Sequence, residues 1–138
     1  MKKTLCFILL ALTLSHAKEF NAPMKAYMEG LNAEAKATNP NFTGFDAKRG
    51  EALFFSKHTG KKGTEMSCVT CHSSDLKKGG QNINTNKPIT ALAPSVNATR
   101  LTDVAEVEKW LRRNFNDVFA REDTALEKGN VLTYIITQ

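Results

Sequence analysis

The sequence predicts an all-α fold of helices joined by long loops, and three observations carry that prediction. Apolar residues recur at three- and four-residue spacing in four separate stretches, as on one face of a helix. Three of those stretches open on an Asn or Asp of the kind that caps helix starts. Nothing in the chain reads as a strand. The 138 residues suffice for one compact domain and not for two.

The first 17 residues stand apart from that fold. Met1, Lys2 and Lys3 are a basic start, Leu5 to Leu14 is a short apolar run, and Ser15-His16-Ala17 offers small residues before a cleavage point. This pattern predicts a signal peptide over 1–17, cut after Ala17. Cleavage would leave 121 residues with a net charge of +3 in place of +5, because Lys2 and Lys3 are lost. No second long apolar segment follows, so the processed chain is expected to be periplasmic and not embedded in the membrane.

Residues 18–45 read as an N-terminal helical extension. Asn21 caps it, Pro23 sits in its first turn, and Phe20, Met24, Tyr27, Met28, Leu31 and Ala35 form its apolar stripe. Pro40 and Gly44 break it. The main domain is expected over 46–138. There, Asp46 caps a helix running to about Lys57 that buries Leu53 and Phe54. Residues 73–101 are loop-like, and a loop that long in a small domain usually wraps something or carries function. Asp103 and Glu106 make a capping box for a third helix with Val104, Val107, Leu111 and Trp110 inward. Asn114-Phe115-Asn116-Asp117 is expected to end it. A last helix from near Thr124 buries Leu126, Val131, Leu132, Tyr134 and Ile135.

Cys68-Val69-Thr70-Cys71-His72 carries the chemistry. In a C-x-x-C-H segment each thiol can form a thioether to a haem vinyl group, and the adjoining His lies under the iron. A thioredoxin-like dithiol would want a βαβ setting, and a zinc site would want further Cys or His ligands. The first setting is missing, only His58 remains in the processed chain to complete a zinc site, and export agrees with haem attachment. One covalent haem c is therefore expected on Cys68, Cys71 and His72.

The second axial position is less obvious. The 66 residues from Ser73 to Gln138 contain no Met, His or Cys. Met24 and Met28 belong to the first helical stripe, Met66 lies on the attachment segment itself, and His58 is expected to be exposed. Asn114 falls three, seven and ten residues after Leu111, Val107 and Val104, on the apolar face of its helix. Spacing leaves two readings open: an Asn facing the iron, or a helix C-cap. Trp110 similarly reads either as core or as a ring stacked near the haem edge.

The chain resembles the sphaeroides haem protein family of monohaem class I cytochromes c. The resemblance rests on the C-x-x-C-H segment, on Asn86-Lys87-Pro88-Ile89-x-x-Leu92-Ala93-Pro94-Ser95, on Arg100-Leu101-Thr102-Asp103, and on Val107-Glu108-Lys109-Trp110-Leu111-Arg112-Arg113-Asn114. It implies a class I cytochrome c-like fold with haem-wrapping loops and an added N-terminal helix. It also implies His72 as proximal ligand and Asn114 as a weak distal ligand that leaves the reduced iron, opening a site for O2, NO or CO. Gly50, Phe54 and Tyr134 resemble the close-packed residues of the class I helix crossing. A dihaem cytochrome c and a membrane cytochrome b are the redox partners it implies, and no nucleic acid is expected. Where the family commonly has a cysteine pair braced beside the ligand Asn, this chain has Phe115 and Asp123.

Three further roles follow as expectations. Pro88 offers a backbone carbonyl to Nδ1 of His72. Arg100, Arg112 and Arg113 pair with haem propionates. Lys77, Lys78, Lys87, Lys109 and the two later arginines either form a basic rim for an acidic partner or are simply solvated. The alternative to a gas-binding function, whether enzymatic or not, is a six-coordinate electron carrier.

Overall fold

The computed structural model describes residues 18–138; the expected signal peptide over 1–17 lies outside the described residues. The chain is a helical fold, as the sequence pattern anticipates, with a few very short strands that the pattern does not show.

Helix α1 (Ala22–Thr38) starts where Asn21 Oδ1 accepts from the Met24 amide at 3.0 Å, satisfying one of the free amides of the first turn. It buries Met24, Leu31 and Ala35, with Tyr27 and Met28 half-buried beside them. These side chains join Phe54, Leu111 and Leu132 in one core, so the N-terminal helix is integral to the packing. Helix α2 (Ala47–Phe55) starts at Asp46, whose carboxylate accepts from the Arg49 amide at 2.8 Å. It ends two residues before the expected Lys57, and Leu53 is half-buried while Phe54 is fully inside.

Helices α2 and α5 (Ala125–Ile136) cross at Gly50. A Cβ there would lie 2.0 Å from the Asn130 carbonyl oxygen and 2.9 Å from Cβ of Tyr134. One turn on, the Phe54 and Tyr134 rings meet at 5.7 Å. The buried Asn130 side chain accepts from the Asp46 amide at 2.8 Å and so ties α5 to the start of α2. Helix α5 carries a complete capping box: Thr124 Oγ1 accepts from the Glu127 amide, and the Glu127 carboxylate accepts from the Thr124 amide.

Helix α4 (Val104–Phe119) departs from expectation in two ways. It continues past Asn114–Asp117, because Phe115 and Val118 extend the buried stripe begun by Leu111, and it stops only at Ala120 with a left-handed φ of 53°. Its capping box is half formed. Asp103 accepts from the Glu106 amide at 3.1 Å, but the Glu106 carboxylate turns outward to Lys109 and to Nε1 of Trp110.

Two small antiparallel ladders break the all-helical expectation. Strands β1 (His58–Thr59) and β2 (Glu65–Met66) pair, as do β3 (Gly80–Gln81) and β4 (Pro88–Ile89). At two residues each they have no alternation for a sequence pattern to reveal. A short helix, α3 (Val69–His72), lies between them.

The crossing makes a paired test. Gly50→Ala should lower the thermal stability of the protein by about 1–3 kcal/mol or more, since a backbone carbonyl blocks the methyl group. Gly30→Ala, within α1 and with nothing in 4 Å of its Cβ, should raise it by about 0.5–1 kcal/mol. Melting curves of the two variants decide; equal shifts would contradict this account of the crossing.

Candidate functional site

The C-x-x-C-H segment folds as a tight helical turn. The His72 amide donates to the Cys68 carbonyl at 3.0 Å, the Cys71 amide to the same oxygen at 3.2 Å, and Thr70 Oγ1 accepts from the Ser67 amide at 2.9 Å. Strand β3 backs directly onto this turn: a Cβ on Gly80 would sit 1.9 Å from the Cys71 carbonyl oxygen and 3.0 Å from Cα of His72. Gly79-Gly80 reads in the sequence only as a loop signal, yet Gly80 is what lets the 73–101 segment fold back over the attachment turn.

Two adjoining cavities, of about 390 and 730 Å³, open between α3, α4 and the 88–101 loop. Both are lined by Cys68, His72, Arg100, Trp110 and Asn114, together with Thr90 and Leu92. Cys71 and Pro88 line the larger one alone. Cys68, Cys71, His72, Pro88, Arg100, Trp110 and Asn114 thus all border these adjoining cavities, and Phe54, Leu101, Leu111 and three α5 side chains (Val131, Leu132, Ile135) give the smaller one apolar walls.

Burial first, and Cys71 second, push the Cys68 thiol up to about 12. Both cysteines are unpaired. Burial first, and the charge of Arg100 second, push His72 down to about 4, so its imidazole is neutral at ordinary pH and has a lone pair to give. Its Nδ1 is buried without a hydrogen-bond partner among the described residues. The expected Pro88 carbonyl does not reach it: Pro88 is exposed and held in register with Gln81 in the β3–β4 ladder. Two thiols, an imidazole with an orphaned nitrogen and an apolar cavity of ordinary ligand size form a donor set that fits haem c.

Asn114 is half-buried in the interior of α4 and faces both cavities, which removes its reading as a helix C-cap. Trp110 is 44% exposed and not core: it stands at the lip, bonded to Glu106 at 2.9 Å, with Lys109 and Arg113 over its ring. Arg100 clamps the loop above the cavity, donating from Nε to the Ala91 carbonyl at 2.9 Å and from a terminal nitrogen to the Thr90 carbonyl at 2.9 Å and hydroxyl at 2.6 Å. The expected basic rim is thinner than its residue count. Lys78 pairs with Asp75, Lys109 pairs with Glu106, Arg112 lines neither cavity, and Lys87 and Arg113 border the larger one.

His58 is half-buried, contrary to the exposed loop position expected. Its Nε2 lies 2.8 Å from Ser56 Oγ and its ring packs, tilted, at 4.3 Å against Phe119, which stacks in turn on Phe115 at 4.8 Å. It lines neither cavity. Met24 is fully buried in the core, and Met66 borders the larger cavity beside the attachment turn. At the two positions without the cysteine pair, Phe115 is packed in the aromatic stack. The Asp123 carboxylate is largely buried, with one oxygen 3.6 Å from Lys128 Nζ and the other unpartnered.

The fold and this donor set define a haem-binding cytochrome of the c type. Comparison with known proteins agrees. Residues 40–135 match a family model described as "Domain of unknown function (DUF1924)". The cytochrome c-type protein SHP of Cereibacter sphaeroides is 48% identical over 93 residues, covering 67% of this chain and 71% of that protein. Cytochrome c'' of Methylophilus methylotrophus is 33% identical over 104 residues, 75% of this chain and 72% of the relative. Among solved structures, oxidized SHP, described as an oxygen-binding cytochrome c, superposes with a TM-score of 0.72 at 41% identity, covering 83% of this chain and 96% of that one. Oxidized cytochrome c'' gives 0.74 at 30% identity, covering 83% and 94%. The chain belongs to the SHP family of cytochromes c.

Arg100→Ala should cost roughly 1–3 kcal/mol of stability, because it removes three hydrogen bonds and leaves the Thr90 carbonyl without its side-chain donor, while Ala91 keeps only the Asn97 amide. Arg100→Lys should restore little of this, since one ammonium cannot span both carbonyls. Chemical unfolding of the two variants measures the difference; full recovery in the lysine variant would contradict the clamp.

Proposed function

We propose that this chain is a periplasmic monohaem cytochrome c whose distal ligand is the labile Asn114 side chain, and that it binds O2 or NO when reduced. Cys68 and Cys71 would hold the haem covalently and His72 would ligate it from the proximal side. When bound, haem would supply an iron that cycles between oxidation states and can exchange a ligand.

The single observation behind this reading is the placement of Asn114. It sits in a helix interior facing the cavity that His72 also faces, in a chain with no Met, His or Cys after His72. A carboxamide is a weak donor beside a thioether or imidazole, so the protein has equipped the distal wall with a ligand that yields. Leu101, Leu111 and Phe115 keep that wall apolar and limit access of water. The relatives point the same way: SHP is described as oxygen binding, and the solution structure of cytochrome c'' is described in terms of haem-ligand detachment.

Electrons would come from a partner cytochrome, with a dihaem cytochrome c and a membrane cytochrome b as the expected pair. Lys87 and Arg113 beside the exposed Trp110 offer such a partner positive charge at the lip. A location in the periplasm follows from the signal peptide read over 1–17 and cleaved after Ala17. Among the described residues no helix is long and apolar enough to cross a membrane.

Asn114→Ala should leave haem attachment intact and convert the ferric protein to a five-coordinate or water-ligated form, seen as a high-spin visible spectrum. An unchanged ferric spectrum would contradict the ligand assignment.

A further inference from the structure

Resting on that reading of Asn114, we propose that Asp117 is a positioning residue that takes up the Asn114 amide once it has left the iron. Trp110, Arg113, Asn114, Asp117 and Val118 all line the larger cavity, at the spacing of one helix face. Asp117 is three residues after Asn114. Side chains so placed are neighbours on a helix, and amide-to-carboxylate hydrogen bonds form between them.

The backbone beneath this pair is held still. The Asp117 carbonyl accepts from the Lys61 amide at 3.0 Å, and a Cβ on Gly60 would sit 2.6 Å from that same oxygen. This turn of α4 is therefore pinned to the β1–β2 hairpin, and ligand exchange falls to the side chains. The Asp117 carboxylate takes part in none of the ion pairs among the described residues. Its natural partner one turn back, Arg113, lies over the Trp110 ring at 5.4 Å instead. Asn116 also lines the cavity, but two residues along a helix it does not face Asn114.

An amide released beside apolar walls needs a partner, or it carries the cost of an unmade hydrogen bond. The Asn114 NH2 group donates and the Asp117 carboxylate accepts. This bond exists only when Asn114 is off the iron, so it favours the open state and tightens binding of a gas that competes with Asn114.

The test is titration with nitric oxide of the ferric holoprotein, in which Asn114 holds the iron and the gas must displace it. Asp117→Ala should weaken nitric oxide binding about fivefold, the worth of one ordinary hydrogen bond. Asp117→Asn, which keeps a carbonyl acceptor, should recover most of it. The ferric spectrum of both variants should match that of the parent, because Asn114 is still there to ligate. In an Asn114→Ala background, Asp117→Ala should have no effect on the affinity. Unchanged affinity in the single Asp117→Ala variant overturns the proposal alone, provided Asn114→Ala alters the ferric spectrum. The same fivefold loss in the Asn114→Ala background also overturns it, since the carboxylate would then act directly on the gas. If Asn114→Ala leaves the ferric spectrum unchanged, the ligand reading itself fails and takes this proposal with it.

Discussion

Between Gly50 and the backbone of Asn130 there is no room for even a methyl group, and the site depends on that contact. It sets the approach of α2 to α5, which lets Phe54 meet Tyr134 and turns Val131, Leu132 and Ile135 toward the cavity. Helix α1 packs against the same α5, adding Met24, Leu31 and Ala35 to the core behind it. A small protein built around a large ligand has few side chains to spare for a conventional core. Here three helices form a rigid base, and the fourth helix with its loops is left to shape the cavity.

The two functional walls are held by different means. The attachment wall is a single tight turn backed by Gly80 at van der Waals limits. The distal wall is a helix, α4, pinned at its far end by the Lys61 amide and by the packed rings of His58, Phe119 and Phe115. That cluster occupies the neighbourhood where relatives are expected to carry a cysteine pair. A buried aromatic cluster can restrain the backbone around Asn114 without a covalent brace, because interiors pack at crystal-like density and resist displacement. The unpartnered Asp123 oxygen and the unpartnered, buried Tyr27 hydroxyl show where this solution is less complete. Burial above all, with the nearby carboxylates of Glu108, Asp123 and Glu34, pushes that phenol up to about 12.

Most of the helices were legible because local chemistry decides them: Asn21, Asp46, Asp103 and Thr124 all cap as side chains of their type do. The end of α4 was not. An Asn-Phe-Asn-Asp run looks like a terminator, but Phe115 and Val118 have a core to enter, and burial outweighs the propensity of their neighbours. The attachment turn could be read from five residues, whereas the placement of Pro88, Trp110 and His58 could not. Pro88 and His58 depend on partners the local pattern does not show, the β3–β4 register and the Phe119 ring, and Trp110 on a side-chain choice, the turning of Glu106 away from the helix start. Asp117 was available as a residue three past Asn114, but only the continuation of α4 puts the two on one face.

The central claim is that the iron's distal position opens on reduction. It is tested most directly by the visible spectrum of the purified ferrous protein, recorded with and without carbon monoxide. The account predicts a broad high-spin spectrum that shifts sharply when the gas is added. A split, narrow α-band indifferent to carbon monoxide would contradict it, leaving Asn114 a cavity-lining amide and the protein a six-coordinate electron carrier.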